Sequence, residues 1–224
     1  MARSIRTRRP ARYDTSVMRP DDRFVRAFFQ RDTGAGARDL LGMTLVRDSP
    51  DGRTAGRIVE AEAYFGPGDP ASHASRGPTP RSAIMFGHPG IAYVYFTYGM
   101  YHLLNVVTED HGTAGAVLIR ALQPTEGAEI MRCRHAAWRA ARGRPRTRPL
   151  PDSQLANGPG KLTIAMAIDL HENGTDLAEG PLFIREGAPV EDAAVAVGPR
   201  VGVSAGMEEH LRFYVRSDPH VSKG

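Results

Sequence analysis

The chain has 224 residues, of which 41% are hydrophobic and 24% are charged, a composition typical of an ordinary soluble globular protein. No apolar run approaches the length of a membrane span, and the basic N-terminus lacks the apolar core of a signal peptide. The single cysteine, Cys133, excludes an internal disulfide and a cysteine-based zinc site, which fits a reducing compartment. We therefore expect a cytoplasmic protein, associated with the nucleoid if the source is bacterial.

The charge balance is mildly basic, with a formal net charge of +4 and a sequence pI of about 9.5. Nearly all of the cations are arginines, and they cluster in residues 3–12 and again in residues 132–148. Guanidinium groups pair bidentately with phosphate oxygens, which favours nucleic acid as a partner. A solvated tail and a solvated loop explain the same clusters, and charge alone leaves both interpretations open.

The first half of the chain predicts a basic arm followed by a folded domain. Residues 1–20 hold arginines, two prolines and few large apolar side chains, which predicts a disordered arm ahead of one domain over residues 21–224. Residues 21–29 predict a short helix, and residues 37–47 lead into a strand that ends near the turn at Asp51-Gly52.

The segment RIVEAEAYF (57–65) alternates as a strand does. The alternation places Ile58, Glu60, Glu62 and Tyr64 on one face and small apolar residues on the other. The strand then enters the loop GPGDPASH, and glycine- and proline-rich loops on a rigid scaffold often carry function.

The second half predicts further strands and two longer helices. In chain order these are a hairpin over 91–107 that turns at Tyr98-Gly99, a buried strand over 116–124 interrupted by Arg120, a helix over 125–143, an arginine- and proline-rich loop over 144–154, a helical stretch over 158–170, and short strands in PLFIREG, RVGVS and LRFYVRS. Neither a repeat nor an internal boundary is visible. The predicted fold class is mixed α/β, as a single compact domain.

The residues themselves offer three candidate kinds of catalytic site: a carboxylate pair, a histidine metal site and a cysteine nucleophile. Glu60 and Glu62 lie about 7 Å apart along their strand, and paired carboxylates serve glycoside hydrolysis, although there they approach from opposite sides of the sugar. Two solvated glutamates are the ordinary alternative. The 8 histidines show no metal-ligand spacing, so no metal site is predicted. Cys133 lies within the arginine-rich helix and is expected to be a packed thiol.

Tyrosines are concentrated on the predicted hairpin. Tyr93 and Tyr95 share a face, on which Tyr93 is expected to belong to the core, whereas Tyr98 lies at the turn and should be exposed. An exposed aromatic side chain often marks a binding surface, and aromatic rings beside basic residues suggest stacking on nucleobases.

Several long motifs together resemble the alkyladenine (3-methyladenine) DNA glycosylase family. They are RIVEAEAYFGPGDPASH, TPRSAIMF, YVYFTYGMYHLLNVV, LIRALQPTEG, NGPGKL, RVGVSAG and LRFYVRSDPHVS, in the family order and over roughly residues 37–222. The resemblance implies a single domain around a curved, mostly antiparallel sheet, with neither metal nor cofactor. It also implies a monomer that flips damaged purines out of duplex DNA and hydrolyses the N-glycosidic bond.

The resemblance also implies roles for individual residues. Glu62 would be the general base that activates water, and Arg120 would help to hold that water and the carboxylate. Tyr64 and His73 would form one wall of the base pocket and Tyr95 the other.

Three further positions are implied in the same way. Ala71 would present its backbone to the base edge, Asn105 would obstruct the 2-amino group of guanine, and Tyr98 would fill the gap left in the duplex. No lysine matches a Schiff-base nucleophile, so an AP-lyase activity is not expected.

Two departures and two alternatives accompany the resemblance. The loop after His73 is one residue shorter than the family form and the segment 108–115 is two residues longer, so the preferred lesions are not implied. The alternatives are a non-catalytic DNA- or RNA-binding protein on the same scaffold and a glycosidase of small nucleosides. The Glu62/Arg120 pair argues against the first, and the exposed Tyr98 with the arginine clusters argues against the second.

Overall fold

A computed structural model describes residues 23–24 and 26–223 of the chain. The predicted basic arm, residues 1–20, lies outside the described residues. The helices of the described part are α1 (Arg26–Phe29), α2 (Thr33–Asp39), α3 (Ala128–Ala140) and α4 (Pro159–Met166). Its strands are β1 (Thr44–Ser49), β2 (Gly52–Phe65), β3 (Ala92–Thr97), β4 (Tyr101–Val107), β5 (Gly115–Glu126), β6 (Leu182–Arg185), β7 (Val195–Gly198) and β8 (Arg212–Val215).

The eight strands form one antiparallel sheet. The strand order is β3-β4-β5-β2-β1-β6, and β8 joins the sheet by pairing with both β2 and β7. The sheet curls into a half-barrel, and helices pack against it. The predicted mixed α/β fold, a single domain around a curved and mostly antiparallel sheet, is confirmed.

The long strand β2 organises the sheet because it has neighbours along both edges. One edge pairs with β5, and the other pairs first with β1 over residues 52–57 and then with β8 over residues 60–62. The pairing with β5 shifts register on both sides of Glu60. Bulges of this kind change which face a side chain occupies.

The shifted register overturns one prediction for β2. Ile58 packs in the main apolar cluster together with Ala61 and Ala63, and so does not share the face of Glu60 and Glu62. Simple alternation missed this because it assumes an unbroken strand. The register shifts place Ile58 in the core, whereas Glu60 and Glu62 lie on the same face and both bind Arg120.

The main core lies between the sheet and helices α1, α2 and α4. Two buried phenylalanines of α1, Phe28 and Phe29, pack into it, and the short helix α2 begins where the side chain of Asp32 accepts a 2.9 Å hydrogen bond from the N–H of Ala35. Capping of this kind satisfies a backbone donor that the helix cannot. Burying these apolar side chains fixes the sheet on which the site is built.

The predicted hairpin and the buried strand are confirmed as β3, β4 and β5, whereas one predicted short strand is wrong. Residues 200–204 form a loop, and the nearby strand is instead β7, at Val195–Gly198. The backbone N–H of Val201 donates to a carboxylate rather than to a neighbouring strand. Residues 200–204 therefore contribute a hydrogen-bond donor to Glu62.

Candidate active site

Glu62 lies on β2 with its side chain fully buried. Three donors hold its carboxylate. The hydroxyl of Tyr64 donates to Oε2 at 2.9 Å, Nη1 of Arg120 donates to Oε2 at 3.2 Å, and the backbone N–H of Val201 donates to Oε1 at 2.7 Å. Strand alternation brings Tyr64 to the same face, and the loop after β7 supplies Val201. Together they fix the orientation of the carboxylate.

The environment of Glu62 opposes its negative charge. Burial raises the pKa of Glu62 above its usual value, although the charge of Arg120 and the hydrogen bonds from Val201 and Tyr64 act in the opposite direction. A buried carboxyl group with a raised pKa is suited to proton transfer, and such groups cluster at catalytic sites.

Arg120 on β5 links the two glutamates of β2. Its Nε donates to Oε1 of Glu60 at 2.7 Å while its Nη1 reaches Glu62, and Glu60 accepts a second hydrogen bond from Arg212 at 2.7 Å. Burial lowers the pKa of Arg120, but the charges of Glu62 and Glu60 outweigh it, so its pKa is raised. Both glutamates are fully buried, so the alternative of two solvated glutamates is wrong.

A cavity of about 470 Å³ opens beside this cluster, within the size range of pockets that hold a small ligand. Glu62 lies behind its wall, because its three partners Tyr64, Arg120 and Val201 line the cavity. Of the eight site residues named from the sequence, seven line it: Tyr64, Ala71, His73, Tyr95, Tyr98, Asn105 and Arg120. The structure thus brings together residues from β2, its following loop, the β3–β4 hairpin and β5.

The loop after β2 is held by a buried ion pair. Nη1 and Nη2 of Arg200 donate to the two carboxylate oxygens of Asp69 at 2.7 and 2.8 Å. Asp69 in turn accepts hydrogen bonds from the backbone N–H groups of Phe65 and Ala71. Because the N–H of Ala71 is engaged in this way, its carbonyl is the backbone group left for a ligand. The ion pair therefore fixes the path of the loop towards His73.

The aromatic wall is built around His73. Its Nδ1 lies 2.8 Å from the hydroxyl of Tyr93, and its ring meets that of Tyr95 edge-on with centroids 4.7 Å apart. Desolvation of the buried part of the ring, with the charge of Arg81, lowers the pKa of His73 to about 4. The histidine is therefore neutral at physiological pH, and it does not repel a cationic ligand.

Tyr98 lies at the tip of the β3–β4 hairpin. Its φ is +52° and that of Gly99 is +66°, and the N–H of Met100 donates to the carbonyl of Thr97, as in a type I′ turn. Its exposed fraction of 76% is the largest among the large hydrophobic side chains that the structure describes. The predicted exposure is confirmed, and Tyr98 also lines the cavity.

Asn105 lies on β4 opposite Tyr93 and is almost completely buried. Its Nδ2 donates to the carbonyl of Tyr93 at 3.1 Å, which fixes the orientation of the amide at the cavity wall. Tyr93 is buried as expected, but it also lines the cavity and holds both His73 and Asn105.

The arginine-rich helix α3 divides into structural and exposed parts. Arg134 binds Asp51 at 2.6 Å and the carbonyl of Ala165 at 2.7 Å, and Arg132 pairs with Asp152. Arg142, by contrast, is exposed and lies over the ring of Trp138, which stacks on the cavity residue Tyr101. Part of this arginine cluster therefore stabilises the fold. The sequence alone did not distinguish these structural arginines from the exposed ones.

In the described part of the chain, neither a metal-binding cluster nor Cys133 contributes to this cavity. No group of three or more histidine, cysteine, aspartate or glutamate side chains within residues 23–24 and 26–223 is arranged to hold a metal ion. Cys133 is exposed on α3, so the prediction of a packed thiol is wrong, and it does not line the cavity.

The sequence of the chain is similar to those of known proteins. A family model described as methylpurine-DNA glycosylase matches residues 27–219. The chain belongs to the methylpurine-DNA glycosylase family. A relative from Prosthecochloris aestuarii is 46% identical over 202 residues, covering 90% of this chain and 91% of its own, and is provisionally named a 3-methyladenine DNA glycosylase.

Two other relatives carry the same provisional name. One from Methanocella arvoryzae is 48% identical and covers 88% of this chain and 94% of its own, and one from Streptomyces avermitilis is 46% identical and covers 88% and 90%. The resemblance inferred from the motifs is thus confirmed, and the chain is placed among the DNA glycosylases of DNA repair.

Among the helices of the described part, none is long and apolar enough to cross a membrane.

Several residues of this glycosylase site were missed from the sequence. Val201, Arg200 and Ser222 contact the site from loops that are distant in sequence, and Asp69 lies in the loop directly after β2. One signal was available, because buried charges require partners, and the motif VEAEAY with LIRAL contains two carboxylates for a single arginine. A second cation was therefore to be expected, and Arg212 supplies it.

Proposed function

We propose that this glycosylase flips an alkylated or otherwise modified purine out of duplex DNA and hydrolyses its N-glycosidic bond with water activated by Glu62. The observation that carries the proposal is the buried carboxylate of Glu62, held by Tyr64, Arg120 and Val201 behind the wall of a cavity of about 470 Å³. The provisional names of the relatives support alkylated purines as the substrate class.

Flipping is required because the glycosidic bond is inaccessible while the base is stacked in the duplex. Extruding a nucleotide leaves a gap between its neighbours. Tyr98 is exposed, aromatic and held at the hairpin tip beside the cavity, so its ring can stack in that gap while the base enters.

Selectivity for alkylated purines follows from the aromatic walls. Alkylation of a purine ring nitrogen makes the base cationic, and a cation between aromatic rings is favoured over its neutral parent. Tyr64, His73 and Tyr95 all line the cavity, and we assign Tyr64 with the neutral His73 to one wall and Tyr95 to the other. Asn105, whose amide is fixed by Tyr93, excludes guanine by obstructing its 2-amino group.

The bond-breaking step assigns one role to each charged group. Glu62 takes a proton from a water molecule, the water oxygen bonds to C1′ of the sugar, and the electron pair of the glycosidic bond leaves with the base. The carboxylate also stabilises the positive charge that develops on the sugar. Arg120 orients the carboxylate and opposes the rise in its pKa that burial causes, which favours the ionised form that accepts a proton.

Because Glu62 is fully covered in the free protein, the proposal requires that ligand binding uncover it. Tyr64 is the residue that would move, since its ring lines the cavity and its hydroxyl is hydrogen-bonded to Oε2 of Glu62. Hydrogen bonds in free active sites commonly rearrange when substrate binds.

We further propose that the enzyme is monofunctional, metal-independent and active as a monomer. The chain has two lysines, and one of them, Lys161, lines the cavity. Its amino group donates to Oδ1 of Asn157 at 2.8 Å, so it is tied to the protein instead of being directed at a sugar. Base release should therefore proceed undiminished in EDTA and leave the abasic strand intact.

The test is base release from duplexes that each carry one lesion, namely 3-methyladenine, 7-methylguanine, hypoxanthine or ethenoadenine. The native protein should release at least one of these bases, and the Glu62→Gln variant should release none while still binding the same duplex. Tight lesion binding by the native protein without release of any base would instead support the non-catalytic alternative.

A further inference from the structure

The last residues of the described chain return to the catalytic cluster. Ser222 is buried, and its backbone and side chain all make hydrogen bonds there. Its N–H donates to Oε2 of Glu60 at 2.6 Å, its hydroxyl donates to Oε1 of Glu60 at 2.8 Å, and its carbonyl accepts from Nη2 of Arg212 at 3.3 Å. Ser222, which is 162 residues from Glu60 in the sequence, thus completes the coordination of that carboxylate.

The hydroxyl of Ser222 also accepts a hydrogen bond from Nη2 of Arg120 at 3.1 Å. The three nitrogens of the Arg120 guanidinium therefore have three different partners: Nε binds Glu60, Nη1 binds Glu62 and Nη2 binds Ser222. The bond to Glu62 is the longest of the three, at 3.2 Å. A planar guanidinium held at each nitrogen cannot turn, so its Nη1 stays directed at Glu62.

The segment that carries Ser222 is folded by its own contacts. The N–H of His220 donates to Oδ1 of Asp218 at 2.9 Å, and the N–H of Val221 donates to the carbonyl of Asp218 at 3.2 Å. Arg57 of β2 lies 3.9 Å from the other oxygen of Asp218. The turn therefore delivers Ser222 to the cluster in a fixed position, and its placement does not depend on the serine hydroxyl alone.

We propose that Ser222 is a positioning residue that holds the Arg120 guanidinium against Glu62. The inference rests on the proposed function, because it gives Ser222 a role only through the Glu62/Arg120 pair. When the hydroxyl is removed, Nη2 of Arg120 loses its acceptor and Glu60 loses a donor, while the backbone bond to Glu60 remains. Arg120 is then drawn towards Glu60, and the long contact with Glu62 is the one that weakens.

The experiment measures the single-turnover rate of base release and the Kd for lesion duplex in Ser222→Ala and Ser222→Thr. A hydrogen bond to a charged group contributes enough to make the expected loss of rate in Ser222→Ala about 10- to 100-fold, with little change in Kd. Ser222→Thr keeps a hydroxyl and should recover much of the rate. Ser217→Gly is the control, because Ser217 is an exposed serine of the same segment with a φ of +55°, which glycine tolerates.

The pH profile separates positioning from a merely structural effect. Arg120 lowers the pKa of Glu62, so a displaced Arg120 should move the acid limb of the rate profile of Ser222→Ala to higher pH. A native rate and profile in Ser222→Ala would overturn the inference, as would a loss of rate with an unshifted acid limb. If Ser222→Ala does not fold, Ser222→Cys takes its place. The same loss of rate and shift of the acid limb are expected for it, and the same results would overturn the inference.

A parallel measurement on Glu62→Gln keeps the two proposals distinct. If Glu62→Gln retains base release, the proposed function fails. If Glu62→Gln is inactive while Ser222→Ala behaves as the native protein, the role of Ser222 alone is wrong.

Discussion

The hydroxyl of Tyr64 donates a 2.9 Å hydrogen bond to Oε2 of Glu62, two residues away on the same face of β2. One aromatic wall of the cavity is thereby tied to the carboxylate behind it. Under the proposed function, a base that stacked on Tyr64 would change the environment of Glu62, and this single contact would couple binding to chemistry.

The first prediction concerns this contact. Tyr64→Phe keeps the ring but removes a hydrogen bond that lowers the pKa of Glu62, so that pKa should rise. A higher pKa leaves less carboxylate at acidic pH, so the acid limb of the single-turnover profile should move to higher pH. Tyr101→Phe is the matched control, since Tyr101 also lines the cavity but stacks on Trp138. Identical acid limbs in Tyr64→Phe and the native enzyme would contradict the coupling.

The second prediction concerns the hairpin tip. Tyr98→Ala should weaken binding of a lesion duplex by about 5- to 150-fold, because stacking of an aromatic ring on a base contributes roughly 1–3 kcal/mol. Single-stranded substrate leaves no gap in a duplex, so its loss should be small. Phe96→Ala is the control, since Phe96 is an exposed aromatic of the same hairpin that does not line the cavity. Equal losses on single and double strands would show that Tyr98 does not fill a gap.

The third prediction concerns exclusion of guanine. Asn105→Ser should raise kcat/KM for guanine-type bases relative to hypoxanthine or ethenoadenine by at least about 5-fold, since an obstructed amino group costs roughly 1 kcal/mol or more. Both substrates are measured on the same variant, so a general fall in activity cancels in the ratio. An unchanged ratio in a variant with native secondary structure and Tm would remove Asn105 from this role.

The fourth prediction concerns Lys161. If water is the nucleophile, borohydride should trap no covalent adduct between the protein and lesion duplex, and the abasic strand should remain uncut. Lys161→Ala should then affect binding at most. An adduct in the native protein that disappears in Lys161→Ala would show Schiff-base chemistry and overturn the monofunctional assignment.

The sequence predicts the parts of this fold that depend on local pattern. The hairpin β3–β4 followed from alternating aromatic residues around Tyr98-Gly99, and β5 followed from an apolar run. Alternation placed Glu60 and Glu62 on one face correctly but misplaced Ile58, because the register shifts around Glu60 depend on pairing with a strand about sixty residues away.

The site itself was only partly predictable. Long motifs identified seven residues that line the cavity, but the partners that hold them come from distant loops. Arg200 reaches Asp69 across 131 residues, and Ser222 reaches Glu60 across 162. Such contacts leave no periodic signal in either segment. A buried charge requires a partner, but the local sequence does not indicate which residue supplies it.

The central claim is that Glu62 activates the water that breaks the glycosidic bond. The most direct test compares Glu62→Gln with the native protein in single-turnover base release from a lesion duplex, with the Kd for the same duplex measured alongside. The substitution is nearly isosteric, and it removes both the oxygen that accepts the proton and the negative charge that stabilises the developing positive charge on the sugar. General-base catalysis contributes about 10²–10⁴-fold, so the rate should fall by at least that order while the Kd stays close to native. A folded Glu62→Gln variant that releases base at a near-native rate would contradict the account.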